Sequence, residues 1–235
     1  MTENDIINRL FSLRDEGYGA FQAALVPTVP AERIIGVRLP LLRKLAKELS
    51  ATPAAALFLE HLPHRYYDED MLHALMLNGE KDMELLKNRL GAFLPFVDNW
   101  AVCDTLLPKS FAKRKEEALE LARECLGSPR EYTVRFGLRI LMSHFLTPET
   151  AEEALSLAVR VRREEYYIRM MKAWLYATAF AKCPEQAFRV LEGADIDKEV
   201  ASMTYRKCRE SRRVPPDVCA RVKKALGLDL LTKTV

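Results

Sequence analysis

The residues in this sequence best suited to chemistry are an indole and a carboxylate near the middle of the chain, Trp100 and Asp104. If the segment around them is helical, their side chains lie one turn apart and share a face. An aromatic ring face and a carboxylate both attract positive charge. The pair could therefore stabilise a cationic group without a metal ion or a nucleotide, so we expect no cofactor.

Other reactive side chains offer weaker sites. Cys103 precedes Asp104, but no histidine lies near it in the sequence, so we expect a buried structural thiol. His61 and His64 are three positions apart without a third ligand at a suitable spacing, so we expect no metal site. The sequence also contains no Gly-rich phosphate-binding loop.

The composition is that of a helical protein. Of the 235 residues, 49% are hydrophobic and 29% are charged, and only 9 are glycine. No apolar run approaches the roughly 20 residues of a membrane span, so we expect no membrane association. Five cysteines, an odd number without a Cys-x-x-Cys motif, fit reduced thiols in a cytoplasm better than a disulfide framework. The net charge is only +3, so any binding of nucleic acid depends on where the charges lie.

A regular spacing of prolines indicates how the helices are arranged. Five dipeptides place a proline where the second helix of a pair could open: Thr52-Pro53, Leu107-Pro108, Thr147-Pro148, Cys183-Pro184 and Val214-Pro215. First helices are expected to open near Arg65, Asp98, Ser128, Glu164 and Asp197, about 33 residues apart. A helix pair of this size cannot bury its apolar face alone, so the pairs should stack.

The stacking predicts an all-α fold in one helical-repeat domain over residues 1–235. Residues 1–35 form N-terminal helices in this interpretation, and residues 36–235 form the repeat array. The spacing is geometric only, without a repeated sequence motif, and an irregular helical bundle is the alternative.

Basic residues accompany the expected first helices. Stacked pairs curve and present a concave surface, so these residues could line a groove for phosphates. The candidates for DNA contact are Lys109, Lys113, Arg135, Arg139, Arg169, Lys172, Arg206, Arg209, Arg212 and Arg213. Acidic residues concentrate elsewhere, as in the run from Asp68 to Asp70, which indicates segregated charge. The alternative for any single cluster is an ordinary solvated helix face.

Several segments together resemble one protein family. They are Gly36-Val37-Arg38-Leu39-Pro40-Leu41-Leu42-Arg43-Lys44-Leu45, Trp100-x-x-x-Asp104 followed by Thr105-Leu106-Leu107-Pro108, Tyr132-Thr133-Val134-Arg135, and the segment from Tyr167 to Trp174. In this order and spacing they resemble the AlkD-type DNA alkylation repair glycosylases. The aromatic residue at position 132 is Tyr where the family pattern has Trp.

This resemblance implies a right-handed superhelix of stacked antiparallel helix pairs, known as HEAT-like repeats. It implies a hydrolase of N-glycosyl bonds that binds double-stranded DNA and excises cationic N3- or N7-alkylated purines, such as 3-methyladenine and 7-methylguanine. The family is thought to act without flipping the base into a deep pocket. We accordingly expect a monomer in the cytoplasm, associated with the nucleoid.

The resemblance also assigns catalytic roles. Asp104 would stabilise the sugar cation that develops as the base leaves, and would orient or deprotonate water. The alternative is a carboxylate that merely favours the N-terminal end of a helix. Trp100 and Trp174 would cradle the backbone at the lesion, and the alternative is that each anchors the core.

Two further residues would support the catalytic group. Arg135 would contact a phosphate near the lesion, with a surface salt bridge to Glu131 as the alternative. Tyr132 would take the place of an indole against the DNA backbone. A non-catalytic HEAT-like protein that binds DNA or a protein partner is the alternative to a glycosylase as a whole.

Overall fold

The chain folds into α-helices joined by short turns. The computed structural model describes residues 3–50 and 52–228. The helices are α1 Glu3–Ser12, α2 Glu16–Leu25, α3 Leu39–Leu49, α4 Pro53–Glu60, α5 Tyr67–Leu77, α6 Met83–Phe93, α7 Trp100–Thr105, α8 Lys115–Leu126, α9 Glu131–His144, α10 Ala151–Arg160, α11 Tyr166–Lys182, α12 Pro184–Leu191, α13 Lys198–Glu210 and α14 Pro216–Ala225. These residues form no strand, only an isolated bridge between Arg14 and Val37. The predicted all-α class is confirmed.

The described residues form two compact units, which divide inside α8 between Glu117 and Ala118. In the second unit, α9, α11 and α13 pack in one row, and α10, α12 and α14 pack in another. In the first unit, α3, α5 and α7 pack in succession, and α6 packs against α5. Successive helices thus form the stacked pairs expected of HEAT-like repeats. The assignment of residues 1–235 to a single domain stays a prediction.

The predicted helix starts agree with the structure for the first helix of each pair. Helices α5, α7, α9, α11 and α13 begin within three residues of the expected positions. Two second-helix starts are wrong. Pro108 precedes a short 3-10 helix at Lys109–Ala112, so α8 begins only at Lys115, and α10 begins at Ala151 rather than near Pro148. Asn78 binds the backbone N–H groups of Leu107 and Lys109, which holds this segment outside an α-helix.

The acidic run on the first turn of α5 is internal, so it adds no charge to the surface. Asp68, Glu69 and Asp70 are 1%, 1% and 3% exposed. Asp68 accepts hydrogen bonds from the backbone N–H groups of Ile35 at 2.7 Å and Val37 at 2.7 Å, with that of Gly36 between them. Burial raises the pKa of Asp68, and these N–H donors oppose the rise. The carboxylate fixes the turn that leads into α3.

Gly36 is required at the centre of this turn. Its φ of 92° lies in the region that residues with a side chain rarely adopt. A Cβ at this position would lie 2.6 Å from the carbonyl oxygen of Asp15 and 2.7 Å from the Cα of Gly19. Both obstacles are main-chain atoms, so a side-chain movement cannot relieve the contact. Gly36 therefore allows the close approach of α2 to the turn before α3.

A buried histidine pair lies in the core of the first unit. His64 Nε2 is 2.8 Å from His73 Nδ1. The ring of His64 stacks on Phe58 with centroids 4.5 Å apart, and that of His73 stacks on Phe93 at 3.9 Å. Burial lowers the pKa of His64 to about 4 and that of His73 to about 2. Both rings are therefore neutral at physiological pH.

Among the described helices, none combines the length and apolar character needed to cross a bilayer.

Replacement of Gly36 by alanine should destabilise the protein by about 2 kcal/mol or more, because it adds backbone strain to a main-chain clash. Gly91→Ala is the matched control, since Gly91 lies on an exposed part of α6 and a Cβ there meets no atom within 4 Å. It should stabilise by roughly 0.5–1 kcal/mol through helix propensity. Urea unfolding followed by circular dichroism measures both, and equal effects would contradict the role of Gly36.

The histidine pair predicts acid sensitivity. Between pH 6.5 and about pH 4 the unfolded chain binds protons that the folded protein excludes. The free energy of unfolding therefore decreases as the pH is lowered through this range. His64 alone should account for roughly 3 kcal/mol over this range. The variant His64→Phe/His73→Phe should remove this component of the pH dependence, whereas His61→Asn at an exposed position should retain it. An unchanged slope in the double variant would exclude the pair as its source.

Candidate functional site

Helix α7 carries the predicted pair, Trp100 and Asp104, and both side chains are partly exposed. Asn99 opens the helix, because its side-chain oxygen accepts the N–H of Val102 at 2.9 Å. Asp104 lies in the last turn of α7 rather than the first. The C-terminal end of a helix is unfavourable for a carboxylate. The alternative that Asp104 serves to favour a helix N-terminus is therefore wrong.

The indole of Trp100 is anchored by its edge. Its Nε1–H donates to the main-chain carbonyl of Leu25, at the end of α2, with a distance of 3.0 Å. The ring is only partly covered, so Trp100 is not a buried core anchor. A fixed and accessible ring can present its face to a ligand with little loss of side-chain entropy.

An arginine network fixes the segment that leads into α7. The guanidinium of Arg33 contacts Asp98 at 2.5 Å and Asp70 at 3.2 Å, and its Nε donates to the carbonyl of Arg65 at 3.2 Å. Asp98 directly precedes the helix-capping residue Asn99. Burial raises the pKa of Asp70 well above its usual value, and the charge of Arg33 opposes this rise. Arg33 thus connects the start of α7 to α5.

A second clamp holds the chain that follows Asp104. The side-chain amide of Asn78 donates to the carbonyl of Thr105 at 2.8 Å and accepts the N–H of Leu107 at 2.6 Å. Its main-chain carbonyl accepts the N–H of Lys109 at 3.2 Å. Sequence reasoning missed both Arg33 and Asn78. An Asn-Gly dipeptide at positions 78 and 79 signals a turn, but nothing in the sequence connects it to Asp104.

In the second unit, Trp174 lies on α11 with 39% of its surface exposed. The guanidinium of Arg139 lies 5.7 Å from its ring centroid, in cation–π contact, and Arg139 Nη1 donates to the hydroxyl of Ser143 at 2.6 Å. The alternative of a core anchor does not apply to Trp174. Instead, Arg139 and Trp174 form an aromatic and cationic surface.

Arg135 is internal, in contrast to its predicted surface position. It is 3% exposed, and its Nη1 donates to the carbonyl of Tyr167 at 2.6 Å. Tyr132 is 7% exposed, with its ring centroid 5.8 Å from that of Tyr167. These burials do not fit the direct contacts with DNA predicted for Arg135 and Tyr132. They do not fit the surface salt bridge to Glu131 either.

Two more predicted contacts are engaged within the second unit. Lys172 is 5% exposed and donates to the carbonyl of Val161 at 2.7 Å, and burial lowers the pKa of Lys172 to about 8. Arg169 pairs with Asp197 at 3.1 Å and with Glu199 at 2.6 Å. The buried ammonium leaves Lys172 almost no surface for a phosphate, so its predicted contact does not fit. The charge of Arg169 is already balanced by two carboxylates.

The other predicted contacts are accessible. In the first unit, Lys109 and Lys113 are exposed on the segment after Pro108. In the second unit, the exposed candidates are Arg206, Arg209, Arg212 and Arg213. Their exposure is what a phosphate contact requires, and their role in binding DNA stays a prediction.

The described side chains include no group of three or more His, Cys, Asp or Glu residues that could hold a metal ion. The thiol of Cys103 is buried, with 0% of the residue exposed. This burial fits the structural role predicted for Cys103 rather than that of a nucleophile.

The protein consists of stacked helix pairs that expose an indole and a carboxylate on one short helix, with basic side chains on the surface of both units. Residues 6–175 match the model of the family described as DNA alkylation repair enzyme, and the chain belongs to this family. Its role is therefore in the repair of alkylated DNA. No curated protein and no solved structure matches the chain.

Replacement of Arg33 by alanine should destabilise the protein by about 3 kcal/mol, because it leaves the buried carboxylate of Asp70 without its positive partner. The matched control is Arg38→Ala. Arg38 pairs with Asp15 at 2.8 Å, but its side chain is 58% exposed, so we expect a loss below about 1 kcal/mol. Urea unfolding measures the difference. Equal losses would show that Arg33 contributes no more than a surface ion pair.

Proposed function

We propose that the protein is a monofunctional DNA glycosylase that excises cationic N3- or N7-alkylated purines from duplex DNA. The substrate class suits the pair on α7, since an indole face and a carboxylate both favour positive charge. Repair of alkylated DNA is the role of the family, and the choice of base excision as the reaction is our proposal.

Alkylation at N3 or N7 gives the purine a formal positive charge, so the base leaves readily without a general acid. The bond between C1′ and the purine nitrogen breaks, and its electron pair neutralises the departing base. A cation then develops on the sugar, and water adds to C1′ with loss of a proton. Asp104 would stabilise the sugar cation, and it would orient the attacking water or accept its proton. Glycosidases use carboxylates for the same sugar cation.

The single observation that carries this proposal is the position of Asp104 at the end of α7. A carboxylate in the last turn of a helix gains nothing from the helix dipole. Asp104 is nevertheless held in a partly exposed position, since Asn99 caps the start of the helix and Asn78 clamps the residues after it. A site that stabilises a cation in a ligand would require this arrangement.

The other predicted residues take supporting roles in this proposal. Trp100 would cover the sugar cation with the ring that the Leu25 carbonyl holds in place. Trp174 would contact the DNA through its exposed surface. Arg135, being buried, would position the start of α11 through the carbonyl of Tyr167 rather than touch a phosphate. Because Trp100 and Asp104 are accessible, the reaction would need no deep pocket for a flipped base.

The central test is Asp104→Asn, a change of charge with little change of shape. We expect excision of 7-methylguanine from methylated duplex DNA to fall by roughly 10²-fold or more, because the sugar cation loses its counter-charge. Binding of the same duplex should change little. Released base is quantified by chromatography under single-turnover conditions.

Glu84→Gln is the matched control, because Glu84 is an exposed carboxylate in the same unit on α6. It should excise at the rate of the unchanged protein. Full activity in Asp104→Asn would remove Asp104 from the mechanism. DNA binding without any release of base by the unchanged protein would instead select the non-catalytic alternative.

A further inference from the structure

A cleft in the second unit lies between the C-terminal half of α11 and the end of α13. Its volume is about 360 Å³, within the range of sites that hold small ligands. The lining residues from α11 recur at helical spacing, so one face of that helix forms a wall of the cleft. They are Trp174, Ala177, Thr178, Ala181 and Lys182. The opposite wall is formed by Lys207, Glu210, Ser211 and Arg213.

The cations that line this cleft outnumber its carboxylates. Among the described residues, none of Lys182, Lys207 and Arg213 has a carboxylate within 4.0 Å, although Glu210 lines the same cleft. Among the described cations of the unit, some are paired, as Arg189 is with Glu152 at 2.6 Å, whereas exposed ones such as Arg206 and Arg212 are not. Three cations and one carboxylate around one space leave an excess of positive charge, which a further anion would reduce. The cleft therefore favours a ligand with negative charge.

The helix dipole explains only part of this pattern. Lys182 and Lys207 lie in the last turns of their helices, where a positive charge offsets the partial negative charge of the helix end. Arg213 lies beyond the end of α13 and has no such role. The three cations also lie outside residues 6–175, the part of the chain that matches the family model. Among the residues that line the cleft, Trp174 alone belongs to the matched part.

The aromatic wall limits the class of anion. The indole of Trp174 is 39% exposed, and two alanines with a threonine beside it leave space for a planar group. Nucleobases stack on exposed aromatic side chains regardless of sequence. A phosphate attached to such a base would lie within reach of cations across the cleft. A nucleotide combines both features, whereas inorganic phosphate would leave the indole unused.

We propose that the cleft between α11 and α13 is a nucleotide-binding pocket, with the base against Trp174 and the phosphate at Lys207 and Arg213. The nucleotide is an unpaired residue of a DNA strand. The identification of DNA as the source of the nucleotide rests on the proposed function. The pocket itself does not, because binding a nucleotide there requires no excision of a base.

Fluorescence of Trp174 tests the pocket directly. The variant Trp100→Phe leaves Trp174 as the sole tryptophan, because the chain has 2. Thymidine 5′-monophosphate should quench its emission saturably, and thymidine or inorganic phosphate alone should bind at least fivefold more weakly. In the same background, Lys207→Ala/Arg213→Ala should lower the affinity for the nucleotide about tenfold.

The matched control removes two exposed charges of the second unit that lie outside the cleft, Arg160→Ala/Lys198→Ala, and should bind thymidine 5′-monophosphate as before. Absence of quenching, equal binding of thymidine and its monophosphate, or unchanged affinity in Lys207→Ala/Arg213→Ala would each overturn the pocket.

Two duplexes identify the source of the nucleotide. A duplex with one unpaired thymine should quench Trp174 at lower concentration than the fully paired duplex, and this difference should vanish in Lys207→Ala/Arg213→Ala. Equal quenching by the two duplexes would overturn DNA as the source and leave a free nucleotide as the ligand. Excision of 7-methylguanine is measured separately on the unchanged protein. Its absence would refute the glycosylase and leave the fluorescence result standing.

Discussion

The first unit depends on the buried carboxylates at the start of α5. Asp68 accepts hydrogen bonds from backbone N–H groups of the turn before α3, and Asp70 pairs with the guanidinium of Arg33. Through Asp98, the same guanidinium reaches the beginning of the helix that carries Trp100 and Asp104. Buried charges are costly unless they are paired, so the network tolerates little displacement of its members. The interior of the unit thereby sets the position of the reactive side chains.

The second unit divides its cations between structure and surface. Arg135 and Lys172 are buried and hold main-chain carbonyls, and Arg169 is balanced by carboxylates. A cluster of further cations lies towards the end of α13, where several are exposed. A protein of nearly neutral overall charge can thus retain a local positive surface, because charges of opposite sign are unevenly distributed.

Sequence reasoning succeeded where the determining interactions are local. Prolines and capping residues act within one helical turn, so the starts of the first helices could be predicted closely. The spacing of Trp100 and Asp104 likewise needs only a helix between them. Prediction from the sequence failed where the partner of a side chain lies far along the chain. Arg135 and Arg139 are one turn apart and look alike in the sequence, yet only the interior position of Arg135 reaches the carbonyl of Tyr167, 32 residues later.

The acidic run from Asp68 to Asp70 shows the same limit. Three consecutive carboxylates are typical of a solvated surface, because burial of so much charge is rare. The burial of Asp68 depends on the turn at Gly36, where the main chain approaches closely enough to donate its N–H groups. No pattern within the run itself carries that information. Arg33 was missed for the same reason, since its carboxylate partners are 37 and 65 positions away.

The anchor of Trp100 has a consequence for how this protein can diverge. The acceptor is the main-chain oxygen of Leu25, so the identity of the side chain at that position matters little to the bond. The path of the chain leaving α2 matters more, and it is pinned by Val26 and Val29, which are 0% and 4% exposed. Point substitutions at position 25 should therefore be tolerated during evolution, whereas a change in the length of this short connection would displace the tryptophan.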